Sequence, residues 1–248
     1  MKPEENLIKD QAQRFARMHE KQYLILRFLR DHLWSTQDIL QRVIMVGSRQ
    51  AAHKCLTSIE KKGFIKRFTY QALGGPITIW GITSQGQSMA FEVGSESLIT
   101  AYFEPKRISE QTIRHQLDIQ RLRLKAENAG WNKWVDGDRL GITDKNLKRP
   151  DALCKDSFDN TVAVECERTF KSLKRYEQIL VNYLKLIKAG NINSVVWVSP
   201  SVEMAQRLKS IITSIKYVRV AGQQVQIDPS KHHSNLHFCS YTDWPNYQ

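Results

Sequence analysis

The chain has 248 residues, 41% of them hydrophobic, enough for one large domain or two small ones with real cores. Lys and Arg number 37 against 25 Asp and Glu, a formal charge of +12, and that imbalance points to nucleic acid or an anionic membrane surface as partner. No apolar run of about 18 residues is present, so membrane insertion is not expected; the charged start Met1-Lys2-Pro3-Glu4-Glu5 lacks a signal-peptide core, and the scattered Cys55, Cys154, Cys166 and Cys239 read as reduced thiols of a cytoplasmic protein.

In chain order, residues 20–32 carry Tyr23, Leu24, Leu26, Phe28 and Leu29 at helical spacing. Ser35 and Thr36 are candidate caps of a short helix holding Ile39, Leu40 and Val43, and Ser48 of a third helix with the stripe Ala52, Cys55, Leu56, Ile59. That helix closes on Lys61-Lys62-Gly63, cations at its negative end and a glycine stop. Two β-like runs, Phe64–Tyr70 and Ile77–Thr83, are split by Gly74-Gly75-Pro76. Three helices and a hairpin are the order of a winged helix-turn-helix, expected over residues 1–93. Its third helix would present Arg49, Gln50, His53 and Lys54, and its wing Lys66 and Arg67, to DNA. Arg and Lys grip phosphate, and Arg and Gln also read base edges. A solvated polar face on a packing module is the bland alternative. Residues 94–108 read as a connection.

A second domain is expected over 109–248. Ser109–Asn128 is a helix ended by Gly130, and Trp131–Asp136 a strand. Arg149–Lys155 and Asn160–Thr169 form a hairpin around Asp156-Ser157-Phe158-Asp159. An antiparallel register centred on Phe158 sets Asp151 opposite Glu165, and Glu165 and Glu167 share a face because side chains alternate along a strand. Phe170–Ala189 is an amphipathic helix with the stripe Leu173, Tyr176, Leu180, Tyr183, Leu184, Ile187. Ser194–Val198 is a buried strand, Ser201–Ile215 a helix and Leu236–Tyr241 a last strand.

The carboxylates Asp151, Glu165 and Glu167 repel one another unless a hard cation sits among them, and Mg²⁺ (or Mn²⁺) takes such oxygen ligands together with substrate phosphate. They are therefore the candidate metal ligands, with Glu167 also a candidate general base. Surface salt bridges are the competing reading. Lys171 and Lys174 are candidates to stabilise charge on the phosphate, and His115 to donate to phosphate or orient a carboxylate. Tyr176 and Tyr183 are the candidate nucleophiles of a covalent nicking reaction, although their place in the apolar stripe favours packing. His232, His233, His237 and Cys239 match no metal-binding pattern.

The order α-β-β-β-α-β-α-β with Arg149-Pro150-Asp151 and Glu165-Cys166-Glu167 resembles the core of PD-(D/E)xK restriction-endonuclease-like proteins, with Glu167 where lysine is usual. The whole chain resembles the replication-relaxation family and, within it, the MobC-type relaxases of mobilisable plasmids. The resemblance is carried by Thr112-Ile113-Arg114-His115-Gln116-Leu117, Arg149-Pro150-Asp151-Ala152-Leu153, Glu165-Cys166-Glu167-Arg168-Thr169 and the Lys174–Tyr183 segment, in that order; the family usually has Asp where Glu167 stands. It implies a Mg²⁺-dependent endonuclease of the bacterial cytoplasm that nicks plasmid DNA at its origin of transfer, with an accessory mobilisation or coupling protein as a further partner. The competing expectations are a non-catalytic DNA-binding replication or transfer factor with a degenerate nuclease core, and a structural or coupling protein.

Overall fold

The computed structural model describes residues 10–72, 74–91, 101–141, 148–220 and 222–247. It is a mixed α+β chain that divides into two compact units, Met1–Gln120 and Arg121–Gln248.

The first unit holds α1 (Gln11–His32), β1 (Trp34–Thr36), α2 (Gln37–Val43), α3 (Arg49–Lys61), β2 (Ile65–Ala72), β3 (Gly75–Ile82), α4 (Ser84–Met89) and the start of α5 (Glu110–Asn128). Its sheet is antiparallel in the order β1-β3-β2. The Ser48 hydroxyl accepts from the Ala51 amide at 3.4 Å and starts α3. Ala52, Leu56 and Ile59 recur at helical spacing and are buried. Gly63, at φ +76°, takes the left-handed turn into β2 that a side chain would resist. The hairpin pairs Ala72 with Gly75 and runs back to Ile65 opposite Ile82. The core gathers Ile25, Leu29, Ile39, Leu40, Leu56 and Trp80.

Two elements go beyond the sequence expectation. Residues 34–36, expected only as capping sequence, add a strand against Gly81, Trp80 and Ile79. Thr36 still precedes α2, but its side chain makes no capping hydrogen bond. Thr83, expected in the strand, caps α4 by accepting from the Gly86 amide at 3.1 Å. Of the expected connection, residues 94–100 lie outside the described residues. Phe103 then returns to bond the Ile82 carbonyl through its amide at 2.9 Å.

The second unit holds the end of α5, then β4 (Asn132–Asp136), β5 (Ala152–Lys155), β6 (Thr161–Cys166), α6 (Leu173–Lys188), β7 (Ser194–Ser199), α7 (Val202–Thr213), β8 (Tyr217–Val220), β9 (Gln223–Gln226), α8 (Pro229–His232) and β10 (Leu236–Ser240). The main sheet runs β10-β7-β6-β5-β4. β6, β7 and β10 are parallel, as helical crossovers require, and β4 and β5 are antiparallel additions. Ala163 and Trp197 face one side, where Tyr176, Leu180 and Tyr183 of α6 and Leu208 and Ile212 of α7 cover them. Leu173, expected in the buried stripe, is the first residue of α6 and is largely exposed.

The β8–β9 hairpin was not legible. Its second strand, Gln223-Gln224-Val225-Gln226, is exposed throughout and has no apolar alternation; Val218 and Ile227 are buried in the core and Val220 packs against it. The described cysteines are free thiols, and no described helix is long and apolar enough to cross a membrane.

Candidate functional site

The β5–β6 turn sets the site's register. Asp156 Oδ1 accepts from the Phe158 and Asn160 amides at 2.9 and 2.8 Å, while Asp159 takes φ +63°, so the reversal is closed locally. The register then runs Lys155↔Thr161 to Ala152↔Val164. One step further, the Asp151 amide donates to the Val164 carbonyl at 3.0 Å. The Asp151 carboxylate completes the ladder's end by accepting the Cys166 amide through Oδ2 at 2.8 Å. Asp151 is thus fixed beside Glu165 from both directions. Gly137 contributes from below: its amide donates to the Asp151 carbonyl at 2.8 Å, and a Cβ there would lie 2.0 Å from the Pro150 carbonyl oxygen.

Glu165 and Glu167 point to the α6 side, and each is only 3% exposed. Both carboxylates meet lysines. Lys148 Nζ lies 2.6 Å from Glu165 Oε1, and Lys171 forms an ion pair with Glu167. The Tyr183 hydroxyl donates to Glu165. Burial, and after it the Asp151 charge, raise the Glu165 carboxyl to about 7 against the opposing pull of Lys148 and Tyr183. The ion pair and the raised value agree once burial is weighed: one lysine does not fully replace water around a carboxylate with an anionic neighbour.

Tyr183 and Tyr176 are almost wholly buried. The Tyr183 phenol is pushed well above its ordinary value by burial and by Glu165. That of Tyr176 is raised to about 12, chiefly by burial. The Tyr176 hydroxyl accepts from the Lys171 amide at 3.0 Å, so the phenol fixes the segment that aims Lys171 at Glu167. As nucleophiles both are poorly placed; as rigid supports of the acid cluster both are well placed.

Lys174 is exposed on α6, away from the ion pairs that hold the glutamates. His115 is half-buried on the part of α5 that belongs to the first unit. The sequence reading missed Lys148. Its signal was present as the cation beside Arg149-Pro150-Asp151, but only the fold turns it toward Glu165.

The donor set is all hard oxygen, as Mg²⁺ or Mn²⁺ requires. Asp151 and Glu165 are close enough for one to perturb the other's titration. Yet among the described residues no group of three His, Cys, Asp or Glu side chains is arranged to hold a metal ion. Glu167 is turned to Lys171, and the expected convergence of three carboxylates reduces to the pair Asp151 and Glu165.

In the first unit, a groove of about 1050 Å³ opens between α2, α3 and the β2–β3 hairpin. Arg49, Gln50, His53, Lys54 and Arg67 line it, with Trp80 at its floor. His53 Nδ1 sits 3.2 Å from Gln37 Oε1, and the Arg67 guanidinium lies 5.4 Å from the Trp80 ring centroid. Lys66, expected beside Arg67, takes the opposite face of its strand and lies 5.6 Å over the Phe103 ring. Strand alternation sends neighbouring residues to opposite faces, so only one of the two cations reaches the groove.

Fold and site together define a two-unit α+β protein with a basic groove on one unit and, at a mixed sheet on the other, the half-buried Asp151 beside the buried Glu165. The sequence pattern of the replication-relaxation family matches residues 26–196, well over half of the chain and from α1 to β7. The chain belongs to the replication-relaxation family. No curated protein and no solved structure gives a significant match.

Proposed function

We propose that the chain is a plasmid-mobilisation relaxase of the MobC type, which grips duplex DNA with its first unit and nicks one strand hydrolytically with its second. The observation that carries this reading is the pairing of Asp151 with a buried Glu165 whose carboxyl is raised to about 7. A carboxyl perturbed by burial and by a neighbouring carboxylate is a candidate for chemistry. Membership in a family tied to replication and transfer gives the DNA context. The order α1-β1-α2-α3-β2-β3 and the cations of the groove support a winged helix-turn-helix. The order from α5 to β10, hairpin β8–β9 aside, supports a restriction-endonuclease-like core.

Asp151 and Glu165 would hold the Mg²⁺ or Mn²⁺, which when bound polarises the scissile phosphate and acidifies the attacking water. The remaining steps belong to the chain. Lys148 pulls Glu165 toward its ionised form in a pocket that otherwise favours the neutral one. Lys171 orients Glu167 to receive a proton and stands ready to face phosphate charge. Tyr183 locks the Glu165 carboxylate through one oxygen. Burial of both phenols supports hydrolysis over a tyrosyl intermediate.

A second reading rests on the lysine pairs themselves. A core whose glutamates are neutralised internally also suits a DNA-binding replication or transfer factor without chemistry. Supercoiled plasmid bearing its own transfer origin separates the two. Open circles formed with Mg²⁺, absent with chelator and absent in Asp151→Ala, support the relaxase. Retained binding with no open circles under any divalent ion leaves the second reading.

A further inference from the structure

Beside the acid cluster lies a surface that the reading above does not use. Phe170 follows Glu167 through Arg168 and Thr169, ahead of α6, and the residue is 39% exposed. The Arg207 guanidinium, from α7, stands 4.8 Å from that ring's centroid. Leu173, on the first turn of α6, and Val202, on the first turn of α7, are exposed apolar side chains at the same ends of their helices. Lys171, bound to Glu167, and the exposed Lys174 and Arg175 add positive charge. The acidic Glu203 on the first turn of α7 is bonded to the Ser201 hydroxyl.

An exposed aromatic with a guanidinium close to its ring, and further cations close by in the chain, is the chemistry that takes an unpaired nucleotide. Bases stack on aromatic and guanidinium planes alike, and lysines track the backbone. A duplex has its bases stacked already and gives such a platform nothing to hold. This part of the sheet is also where the parallel strands β6 and β7 end, the usual place for ligands in sheets with helical crossovers.

We infer that Phe170 and Arg207 form a stacking platform for an unpaired base of single-stranded DNA, seating it next to Glu167 and Lys171. The inference rests on reading the second unit as the cutting unit, because it makes the platform the place where the strand to be cut is drawn out of the duplex. Lys171 links the two features: it is paired with Glu167 and adjoins Phe170 in the chain.

The test is binding of the full chain to a short labelled single-stranded oligodeoxynucleotide and to its duplex, by fluorescence anisotropy with EDTA present. Chelator removes any dependence on metal and cutting, so a failed nicking assay leaves this result standing. Phe170→Ala is expected to weaken single-strand binding about tenfold or more, the effect of removing one stacked base contact. Duplex affinity should stay within about twofold, being set by phosphate contacts elsewhere. Phe170→Trp should restore single-strand binding. Arg207→Lys, which keeps charge but loses the plane, should weaken it while leaving its salt dependence. Equal single-strand affinity for wild type and Phe170→Ala overturns the platform. So does a parallel loss on single strand and duplex, or a wild-type chain that does not bind the single strand at all. Phe170 is surface-exposed, so a matching thermal melt is expected for Phe170→Ala; a melt lowered together with both affinities counts against the inference.

Discussion

Around the groove of the first unit, Arg49, Lys54 and Arg67 keep their charged heads at an open surface, whereas in the second unit Glu165 and Glu167 are buried and each faces a lysine. The first arrangement costs little to fold, because water solvates the cations until a polyanion replaces it. The second is expensive: buried charges lose their hydration, and the loss is offset only by well-placed partners. Solvated charge gives affinity that depends on salt; buried charge gives chemistry that depends on geometry. On the reading proposed above, one unit holds DNA and the other acts on it, which gives a use for both.

The contrast breaks first at Asp151. On the relaxase reading, Asp151→Ala or Glu165→Gln should lower nicking of supercoiled plasmid by about 10³-fold, since each removes a group that would hold the metal ion. Filter binding to duplex should change by less than about twofold. A parallel loss of binding would show that the two regions are not separable.

Lys148→Met sharpens the comparison. At about pH 9, where Glu165 is charged beside its lysine, leaving it buried without that partner should destabilise the second unit by about 3–5 kcal/mol, read from denaturant unfolding. The double variant Lys148→Met/Glu165→Gln should recover part of that loss. Arg49→Ala, on the solvated surface, should shift stability by less than about 0.5 kcal/mol.

A pH series on the metal-free protein gives the next effect. The Glu165 carboxyl titrates at about 7 in the fold against an ordinary 4.5. The folded state therefore binds the extra proton between those values. The stability this contributes is fully present below about pH 4.5 and is lost as pH rises through 7, on the order of 3 kcal/mol in all. Melting temperature should fall across that window, and Glu165→Gln should flatten the fall. An unchanged profile in the variant would assign the titration elsewhere.

The smallest expected effects belong to the groove. Lys54→Ala or Arg67→Ala should weaken duplex binding by about tenfold or less and reduce the slope of log affinity against log salt by about 1 each. Lys66→Ala should leave the slope unchanged, because its ammonium lies over Phe103 on the other face. A slope that does not respond to Lys54 or Arg67 would remove the groove as the duplex-binding surface.

Local rules carried the sequence reading far. The cap at Ser48, the glycine stop at Gly63 and the apolar stripes set the helices within a few residues. The register that places Asp151 beside Glu165 follows from a turn closed by residues 156–160, so it too was legible. Polar strands were not legible: β9 buries nothing, and β1 is too short for a pattern. Nor were the partners of the acids. Lys148, Lys171 and Lys174 are equivalent as letters, yet one meets Glu165, one meets Glu167 and one stands in solvent.

By itself the sequence determined the basic charge, the order of the main helices and apolar strands, and the meeting of two carboxylates across one hairpin, because periodicity, caps and a tight turn act over a few residues. Only the tertiary structure decided which lysines neutralise the glutamates, that Lys66 and Arg67 part company, and that Phe170 meets Arg207. Those outcomes depend on which faces of distant segments are packed together, and burial then fixes how strongly the charges brought there are felt.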